Sequence, residues 1–426
     1  MSGLPRSAGA CSEADNRGTI PAMQQTPPPP VHFRQLSELL QHYGELWRPI
    51  PFYLPVLPWE STHPSLAAAL AALSEEDAAT LEADQHALVA WLADHIPHIS
   101  RITDLDSVAP LASQPGDYPM GFERGIPGGK WLQVTAFAGC LEQLNGTVLE
   151  WCAGKAHLGR ALYQRFQTPV IALEKNSKLC SDGENLSRQL GTDVRMIPCD
   201  VLSPQLAACM PETDHAVALH ACGDLHRRLI EIVTTQGIHS LALSPCCYHL
   251  TTDAGYRPYS MAARDSGLVL SRDDCRLAVQ ETVTAAAAGV RRRRKKSAWR
   301  LGFDALQREL RRADEYMPVP PLNDACFGNG FATFCRQVAG LKGVQLPEAV
   351  DWQHYENLGW EREARVRRME LPRHAFRRAL ELWLVLDRAL HLAECGYRVS
   401  VGTFCDRRVT PRNLMIQAAR QRGVAA

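Results

Sequence analysis

The sequence predicts an α/β fold with a seven-stranded, mainly parallel sheet, a helical domain before it and a helical insertion before its last two strands. Five short apolar runs lie between residues 147 and 243, and stretches with helical periodicity separate them. Strands that helices cover on both faces have this apolar character, and intervening helices make the strands parallel. Residues 397–404 alternate like a strand, and residues 413–417 suit its antiparallel partner, which completes the seven strands.

The composition limits the classes of protein to which this chain can belong. Its 426 residues suffice for two or three domains. Lysine plus arginine equals aspartate plus glutamate, at 46 each, so affinity for nucleic acid has to come from local patches. The 14 cysteines are scattered, which favours reduced thiols and a cytoplasmic protein. We find no apolar run of bilayer length and no secretory signal, so no membrane partner is expected.

Two segments are predicted before the sheet. Residues 1–30 are rich in small and polar types and end in four prolines, so we expect a disordered tail. Residues 31–115 are predicted to form a helical domain, in which a second helix starts at Ser74 and continues past Leu92. We interpret this domain as a bundle packed on the rest of the chain, and a substrate-binding module is the alternative.

Residues 116–275 are assigned to the sheet domain. A linker with glycine and proline, residues 118–129, leads into a predicted helix over residues 130–144. Lys130 and Gln133 lie one turn apart on that helix and face the same way. This polar pair either reaches an active site or belongs to a solvated face.

Residues 146–159 have the order of strand, tight turn and helix. The strand ends at Glu150, small residues occupy positions 152–156, and Leu158 opens a helical pattern. A helix N-terminus offers free N–H groups and the positive end of its dipole. The segment is therefore a candidate nucleotide-binding turn.

The second and third apolar runs end on acids. Glu174 follows Gly154 by roughly 20 residues, where a doubly wound fold places the acid that bonds the ribose hydroxyls. Asp200 is suited to accept from an adenine amino group. Without a full GxGxxG or a GK[ST] motif, adenosine with an amino-acid tail fits better than a dinucleotide or a triphosphate. The candidate cofactor contacts are Glu150, Cys152, Ala153, Gly154, Lys155, Leu158, Glu174, Lys175, Asp200, Val201 and His220.

Polar clusters follow the fourth and fifth runs, residues 215–219 and 240–243. Since ligands bind outside the carboxyl ends of parallel strands, both clusters should meet in one crevice with the cofactor. Asp224 is also expected to be the N-cap of a helix over residues 225–233. The candidate catalytic residues are His220, Asp224, Cys246, Cys247, Tyr248 and His249.

These motifs resemble a known family. The chain resembles class I methyltransferases with a CCYH motif, the methyltransferase-like proteins, in three motifs. These are the turn at residues 152–155, the run LHACGDL at 219–225 and the tetrad CCYH at 246–249. The tRNA 2′-O-methyltransferases that act on the acceptor stem are more distantly similar. The resemblance covers about residues 130–270 and residues 409–414, VTPRNL, which resemble the closing SPRNL of the family.

The resemblance implies a Rossmann-like sheet and binding of S-adenosyl-L-methionine by the Gly154 turn and Glu174. It also implies methyl transfer to RNA. The chain departs from the family pattern at two positions. Ala156 stands where the family usually has glycine, and Trp151 precedes the turn.

Methyl transfer requires alignment and exclusion of water, and a base helps when the acceptor is a hydroxyl. His220 or His249 is suited to take that proton. Tyr248 is a candidate to stack on an extruded base.

Three interpretations of the cysteines near this crevice stay open. They line the wall as small, soft side chains, or Cys246 or Cys247 attacks a pyrimidine ring as a nucleophile. The third is a zinc site made by Cys222, Cys246, Cys247 and His249, although adjacent cysteines lack the usual CxxC spacing. The sequence assigns no metal.

Residues 276–394 are predicted to form a basic helical insertion. The run from Arg291 to Lys296 is followed by Trp299 and Arg300. It is either a solvated charge run or a contact with phosphates, and in a chain of zero net charge it makes RNA the expected partner. A second arginine-rich patch consists of Arg362, Arg365, Arg367, Arg368, Arg373, Arg377 and Arg378.

Residues 395–426 are predicted to hold the closing strands, which makes the sheet domain discontinuous in sequence. The predicted function is S-adenosylmethionine-dependent methylation of structured RNA, such as tRNA or rRNA. Two alternatives stay open: transfer to a protein or small molecule, and an RNA scaffold that binds the cofactor without turnover.

Overall fold

The computed structural model describes residues 30–280 and 287–420. The predicted disordered tail lies, apart from Pro30, outside the described residues, and so do the last six positions of the chain. Among the described residues, no helix combines the length and the apolar character that crossing a bilayer requires.

A seven-stranded sheet forms the centre of the molecule, in the order β3-β2-β1-β4-β5-β7-β6. The first five strands are parallel, while β7 runs antiparallel to both β5 and β6. The α/β class, the parallel core and the late antiparallel pair are confirmed. The strands are β1 Val148–Trp151, β2 Val170–Glu174, β3 Val194–Pro198, β4 His215–Cys222, β5 Ser240–Cys246, β6 Tyr397–Thr403 and β7 Leu414–Arg420.

Helices cover both faces of this sheet and form the segments before it and between β5 and β6. Two short 3₁₀ helices, Pro58–Glu60 and Asp324–Phe327, add to them. The α-helices are α1 Pro30–His42, α2 Gly44–Trp47, α3 Pro64–Ala72, α4 Glu75–Ala83, α5 Gln85–Ala93, α6 Arg101–Leu105, α7 Gly128–Gly139, α8 His157–Phe166, α9 Ser177–Leu190, α10 Leu206–Cys209, α11 Asp224–Gln236, α12 Met261–Asp265, α13 Arg272–Leu277, α14 Ala287–Arg311, α15 Phe331–Lys342, α16 Trp352–Met369, α17 Leu371–His374 and α18 Arg377–Glu394.

The single helix predicted from Ser74 past Leu92 is two helices. Ser74 caps α4 as expected, because its hydroxyl accepts from the Asp77 backbone N–H at 3.0 Å. Asp84 then ends α4 and caps α5, since its carboxylate accepts from the N–H groups of His86 and Ala87. An aspartate that bonds the backbone ahead of it starts a new helix.

The two faces of the sheet are buried in different cores. On one face, α7 and α8 pack on β1 and β2, with Phe137 and Leu162 fully buried. On the other face, α11, α18 and the N-terminal helices share one continuous core. The N-terminal helices therefore pack on the sheet domain through α18 and do not form an isolated bundle.

Helix α18 is buried on nearly all sides. It packs on β6 and β7 and on α1, and even its charged residues Asp387 and Arg388 are at most 2% exposed. Helices α14, α15 and α16 instead enclose a separate small core around Trp299 and Phe334. The domain boundaries given above stay a prediction, but α18 is part of the layer that covers the sheet.

Candidate active site

The turn after β1 bends through three left-handed residues. Cys152, Gly154 and Ala156 have φ values of 55°, 60° and 53°. Left-handed backbone costs a residue with a Cβ about 1 kcal/mol or more, and such strain concentrates at ligand sites. Ala156 thus takes a backbone conformation that favours glycine.

Glu174 at the end of β2 fixes this turn. Its Oε2 accepts from the Gly154 N–H at 2.9 Å, and its Oε1 accepts from the Asn176 N–H at 2.9 Å. The carboxylate therefore ties the turns after β1 and β2 together, and it keeps lone pairs for a further donor.

The space beside Gly154 fits a ligand. Among the described residues other than its two chain neighbours, none has an atom within 4 Å of the place where a Cβ on Gly154 would stand. Cys152, Ala153, Gly154 and Lys155 are all half-buried rather than packed away. The chain thus presents bare backbone and the Glu174 carboxylate to open space, which suits the ribose and amino-acid ends of a nucleoside cofactor.

Glu150 is buried beneath the turn and is not at the surface of the cleft. It is 5% exposed, and its Oε2 accepts from the Gly159 N–H at 2.8 Å, in the first turn of α8. Burial raises the pKa of Glu150 to about 7, against the opposing effects of the Gly159 N–H, Arg160 and Lys130. Through this hydrogen bond, Glu150 holds the first turn of α8 in place.

The other predicted cofactor contacts occupy different depths. Lys175 and Asp200 form an ion pair at 2.7 Å at the rim, and hydrogen bonding to Lys175 lowers the pKa of Asp200. Lys155 pairs with Asp182 at 2.9 Å. Leu158 and Val201 are 2% and 3% exposed, so they shape the cleft from the core.

His220 interrupts β4 at the same edge. Its φ is 65°, and the register between β4 and β5 shifts around it. Its Nε2 lies 3.0 Å from Oε1 of Gln133 on α7, whose amide nitrogen donates to the Val409 carbonyl. That second bond sets the amide orientation, so Nε2 of His220 carries the proton. Burial, Lys130 and Arg412 lower the pKa of His220 to about 4, so the ring is neutral at pH 7.

Three cysteine sulfurs meet between β4 and β5. The Sγ atoms of Cys222, Cys246 and Cys247 all lie within 4.8 Å of one another, and Cys222 and Cys246 are 3.4 Å apart. Hydrogen bonds among the three raise the pKa of Cys246 and lower that of Cys247. The two polar clusters predicted from the sequence are therefore in contact.

Tyr248 does not face the cleft. It is 3% exposed, donates to the Pro245 carbonyl at 3.2 Å, and lies under the Arg388 guanidinium at 4.9 Å. The predicted stacking on an extruded base is incompatible with this position, because its ring faces are covered by the core. His249 is half-buried, and its pKa is lowered by burial and by Arg276.

Asp224 is not the N-cap that the sequence suggests. Gly223 precedes the helix as its N-cap, and α11 begins at Asp224 itself. The Asp224 Oδ2 accepts from the Thr252 N–H at 2.9 Å. Asp224 therefore positions the loop after β5, which carries Cys247 and His249, since its carboxylate points along that loop rather than back over the helix.

The loop after β5 is also held from α18, which the sequence did not indicate. Asp387 accepts from the Tyr256 hydroxyl at 2.5 Å and from the Tyr259 and Ser260 N–H groups at 2.9 and 2.8 Å. Arg388 donates to Nε2 of His226 at 3.0 Å. A fully buried aspartate and arginine thus fix the segment that follows the CCYH motif.

The closing motif packs on the end of β5, where the Ser244 hydroxyl donates to the Arg412 carbonyl at 3.3 Å. Arg412 donates to the Val279 carbonyl and lowers the pKa of Cys247 and His220. Asn413 bonds the Cys405 carbonyl at 2.7 Å and Arg378 at 3.0 Å. Gln133 and Arg412 lie at the site but are absent from the candidate catalytic and cofactor-binding residues predicted from the sequence. The sequence signal for Gln133 is the polar face of α7, and the signal for Arg412 is the closing run at residues 409–414.

The basic run lies on α14 and is partly neutralised. Arg292 and Lys296 pair with Asp324, and Arg294 pairs with Glu363 and Glu75. Lys295 covers the Trp299 ring at 4.3 Å. Arg291 and Arg293 are exposed, and no ion pair of theirs is found within the part of the chain described.

The second arginine-rich patch is mostly structural. Arg362 pairs with Asp304 at 2.9 Å, and Arg365 pairs with Glu60 at 2.6 Å. Arg373, Arg377 and Arg378 are 2%, 8% and 5% exposed. Arginines buried at this level hold α16 to α18 against their neighbours and offer little to an external phosphate.

Comparisons with known proteins agree with this geometry. Residues 130–254 match a family model described as a methyltransferase domain. No curated protein matches the chain. The matched residues contain the Gly154 turn, Glu174 and both polar clusters, so the candidate site lies within the part of the chain that matches a methyltransferase domain.

Several solved methyltransferase structures are similar to the chain. The precorrin-6y C5,15-methyltransferase of Geobacter metallireducens is 13% identical over 26% of this chain and 59% of its own, with a TM-score of 0.21. The plantazolicin methyltransferase BamL, solved with SAH, is 14% identical over 40% and 59%, with a TM-score of 0.22. Coclaurine N-methyltransferase is 14% identical over 50% and 63%, with a TM-score of 0.23. The chain spans less than two thirds of each of these structures.

Proposed function

We propose that this protein transfers a methyl group from S-adenosyl-L-methionine to structured RNA, such as tRNA or rRNA. The observation that carries the RNA assignment is the positive charge around the catalytic edge. Beyond the effect of burial, Lys130 and Arg412 lower the pKa of His220, and Arg276 and Arg272 lower the pKa of His249, where Asp273, which pairs with Arg276 at 3.9 Å, opposes them. These cations beside the two histidines suit a substrate whose backbone is negative, in a chain of zero net charge.

The chain's own residues would hold the cofactor at the ends of β1, β2 and β3. Glu174 and the bare backbone at Gly154 fit its ribose and amino-acid ends, and Asp200 fits the adenine side. When bound, S-adenosyl-L-methionine supplies an electrophilic methyl group. Glu150 keeps the start of α8 in place beneath the turn.

His220 is the group best placed to take a proton from a hydroxyl acceptor. Its Nε2–H is held by Gln133, so Nδ1 has the free lone pair. Its pKa of about 4 keeps the ring neutral over the physiological range, although it also makes His220 a weak base. Gln133 is a positioning residue, because it acts by fixing the tautomer and the orientation of His220.

Arg291 and Arg293 provide a second contact zone for the RNA backbone. They lie on α14 and are exposed, as Arg292 is, but Arg292 pairs with Asp324 whereas Arg291 and Arg293 have no ion pair among the described residues. The resemblance to methyltransferase-like proteins and to tRNA methyltransferases supports the same class of substrate. The neutralised arginines of the second patch do not add to it.

The test is transfer of a radiolabelled methyl group from S-adenosyl-L-methionine to fractionated RNA, protein and small molecules of a cell extract. We expect label in ribonuclease-sensitive material with wild-type protein and much less of it with Glu174→Ala when the cofactor is subsaturating. Label in the protein or small-molecule fraction would replace RNA as the substrate. Cofactor binding without label in any fraction would instead support a scaffold that does not turn over.

A further inference from the structure

We propose that Cys222, Cys246 and Cys247 form a zinc-binding site at the carboxyl ends of β4 and β5. Their Sγ atoms lie within 4.8 Å of one another, and the closest pair is 3.4 Å apart. Sulfur ligands at about 2.3 Å from a tetrahedral zinc lie roughly 3.8 Å from each other. Small rotations of the side chains would therefore bring all three sulfurs to zinc distance.

The backbone is built to bring the three sulfurs together. Cys222 and Cys246 are register partners on adjacent parallel strands, so their side chains lie side by side on one face. The next residue of an extended strand would point to the opposite face. Cys247 instead has a φ of 48°, a left-handed conformation that turns its side chain back toward the other two. A strained cysteine whose strain closes a cluster of thiols indicates a site rather than a packing accident.

His249 is the residue we assign to the fourth position. Its Nδ1 is buried and has no hydrogen-bond partner among the described residues. Buried polar nitrogens are almost always satisfied, so an orphan atom two residues after Cys247 calls for a ligand. The His249 nitrogens lie outside the 4.8 Å group, so the ring has to turn toward the sulfurs when the ion binds.

Zinc with three thiolates and a neutral imidazole carries one negative charge, and the closing segment that bears Arg412 packs on β5, where the Ser244 hydroxyl donates to the Arg412 carbonyl at 3.3 Å. Binding releases the protons of those thiols that are protonated, and no oxidation or reduction is involved. The adjacent Cys246-Cys247 pair hides the site from a search for CxxC spacing, because the third sulfur comes from the neighbouring strand.

The proposal is tested on the full-length protein, purified under reducing conditions. We expect about one zinc ion per chain by elemental analysis, and thiolate-to-cobalt charge-transfer absorption after exchange with Co²⁺. Cys222→Ser, Cys246→Ser and Cys247→Ser should each weaken zinc binding by more than about tenfold. His249→Ala should weaken it less, since three thiolates remain. Cys326→Ser and Cys395→Ser, outside the cluster, should leave binding unchanged.

Protection of the cysteines of wild-type protein from alkylation is a second test, which is independent of whether the serine variants fold. Zinc should protect Cys222, Cys246 and Cys247 from iodoacetamide, while exposed Cys395 reacts with or without the ion. Reduced wild-type protein that binds neither zinc nor cobalt would overturn the proposal. So would zinc binding that ignores all three serine substitutions, or a Cys222–Cys246 disulfide in the native protein.

Discussion

The Glu174 Oε2 accepts a hydrogen bond of 2.9 Å from the Gly154 backbone N–H, which joins the ends of β2 and β1. Two strands that lie about 20 positions apart in the chain thus share one carboxylate at the edge of the sheet where we propose that the cofactor binds. The loss of this carboxylate should open the turn and remove the acceptor of the ribose hydroxyls.

We therefore expect Glu174→Ala to weaken S-adenosyl-L-methionine binding by more than about tenfold, or about 1.4 kcal/mol, measured by isothermal titration calorimetry. Glu174→Gln should have a smaller effect, because one oxygen can still accept. Glu184→Ala, on the exposed side of α9, is the control. Equal affinity of the Glu174→Ala variant and wild type would place the cofactor elsewhere.

Gly154 and Gly191 allow backbone strain to be separated from ligand contact. Their φ values are 60° and 64°, and, apart from the chain neighbours, no described residue has an atom within 4 Å of a Cβ built on either. Alanine at either position should cost about 1–2 kcal/mol of unfolding free energy through its left-handed backbone. Only Gly154→Ala should also weaken cofactor binding, because only its Cβ enters the cleft. Equal binding losses in both variants would show that the effect is structural.

Glu150 should make stability depend on pH. Its folded pKa, about 7, lies above the unfolded value of 4.5, so the folded state binds the proton more tightly. Its contribution is therefore lost as pH rises from 4.5 to 7. Glu150→Gln keeps an acceptor for the Gly159 N–H and should be more stable than wild type at pH 8, by up to about 3 kcal/mol.

Urea unfolding between pH 4 and 8 measures this difference, which should vanish near pH 4.5. A Glu150→Gln variant less stable than wild type at pH 8 would mean that Arg160 and Lys130 stabilise the charged form of Glu150.

Asp387 should be required for both stability and activity. It is fully buried and accepts four hydrogen bonds from Tyr256, Tyr259 and Ser260. Asp387→Ala leaves these donors without an acceptor and Arg388 without its neighbouring charge, so we expect a loss of about 3–5 kcal/mol in thermal or urea unfolding.

Glu394→Ala is the matched control, because Glu394 lies at the exposed end of the same helix and, among the described residues, accepts only from the Met261 N–H. That variant should lose less than about 1 kcal/mol. If Asp387→Ala unfolds at the same urea concentration as Glu394→Ala, the network does not hold the loop.

Arg291 and Arg293 should contribute to RNA binding through charge. Replacing both with alanine should lower the slope of log K against log salt by roughly 0.7 to 0.9 for each phosphate that the protein no longer neutralises, without a change in unfolding. Filter binding at several salt concentrations measures the slope. Arg294→Ala is the contrasting control: it leaves the buried carboxylate of Glu363 without its partner and should lower stability. An unchanged slope in the double variant would remove α14 from the RNA surface.

The strands could be predicted from the sequence because each carries its own signal. The apolar run at residues 170–173 and its terminal Glu174 predict β2 to within one residue, since a strand buried on both faces needs apolar side chains at every position. Convergence of His220 with Cys247 also followed, because the carboxyl ends of parallel strands share one edge.

The remainder depends on partners far away in sequence. Nothing near Arg294 indicates that Glu75, more than two hundred residues earlier, neutralises it. The sequence around Tyr248 does not indicate that its ring is buried, because the covering residue, Arg388, comes from the distant helix α18. The sequence identifies a charge run or an aromatic residue, but tertiary contacts determine whether its side chains are exposed to solvent.

Strand β7 lies between β5 and β6, although residues 247–413 separate it from β5 in the chain. During synthesis, β5 therefore leaves the ribosome long before the strand that completes its edge. The apolar face that α18 later covers stays open for the whole of that interval, and unpaired strand edges of this kind are prone to aggregation. We therefore expect the edge of β5 to be the part of the sheet most exposed to misassociation until β7 has been synthesised.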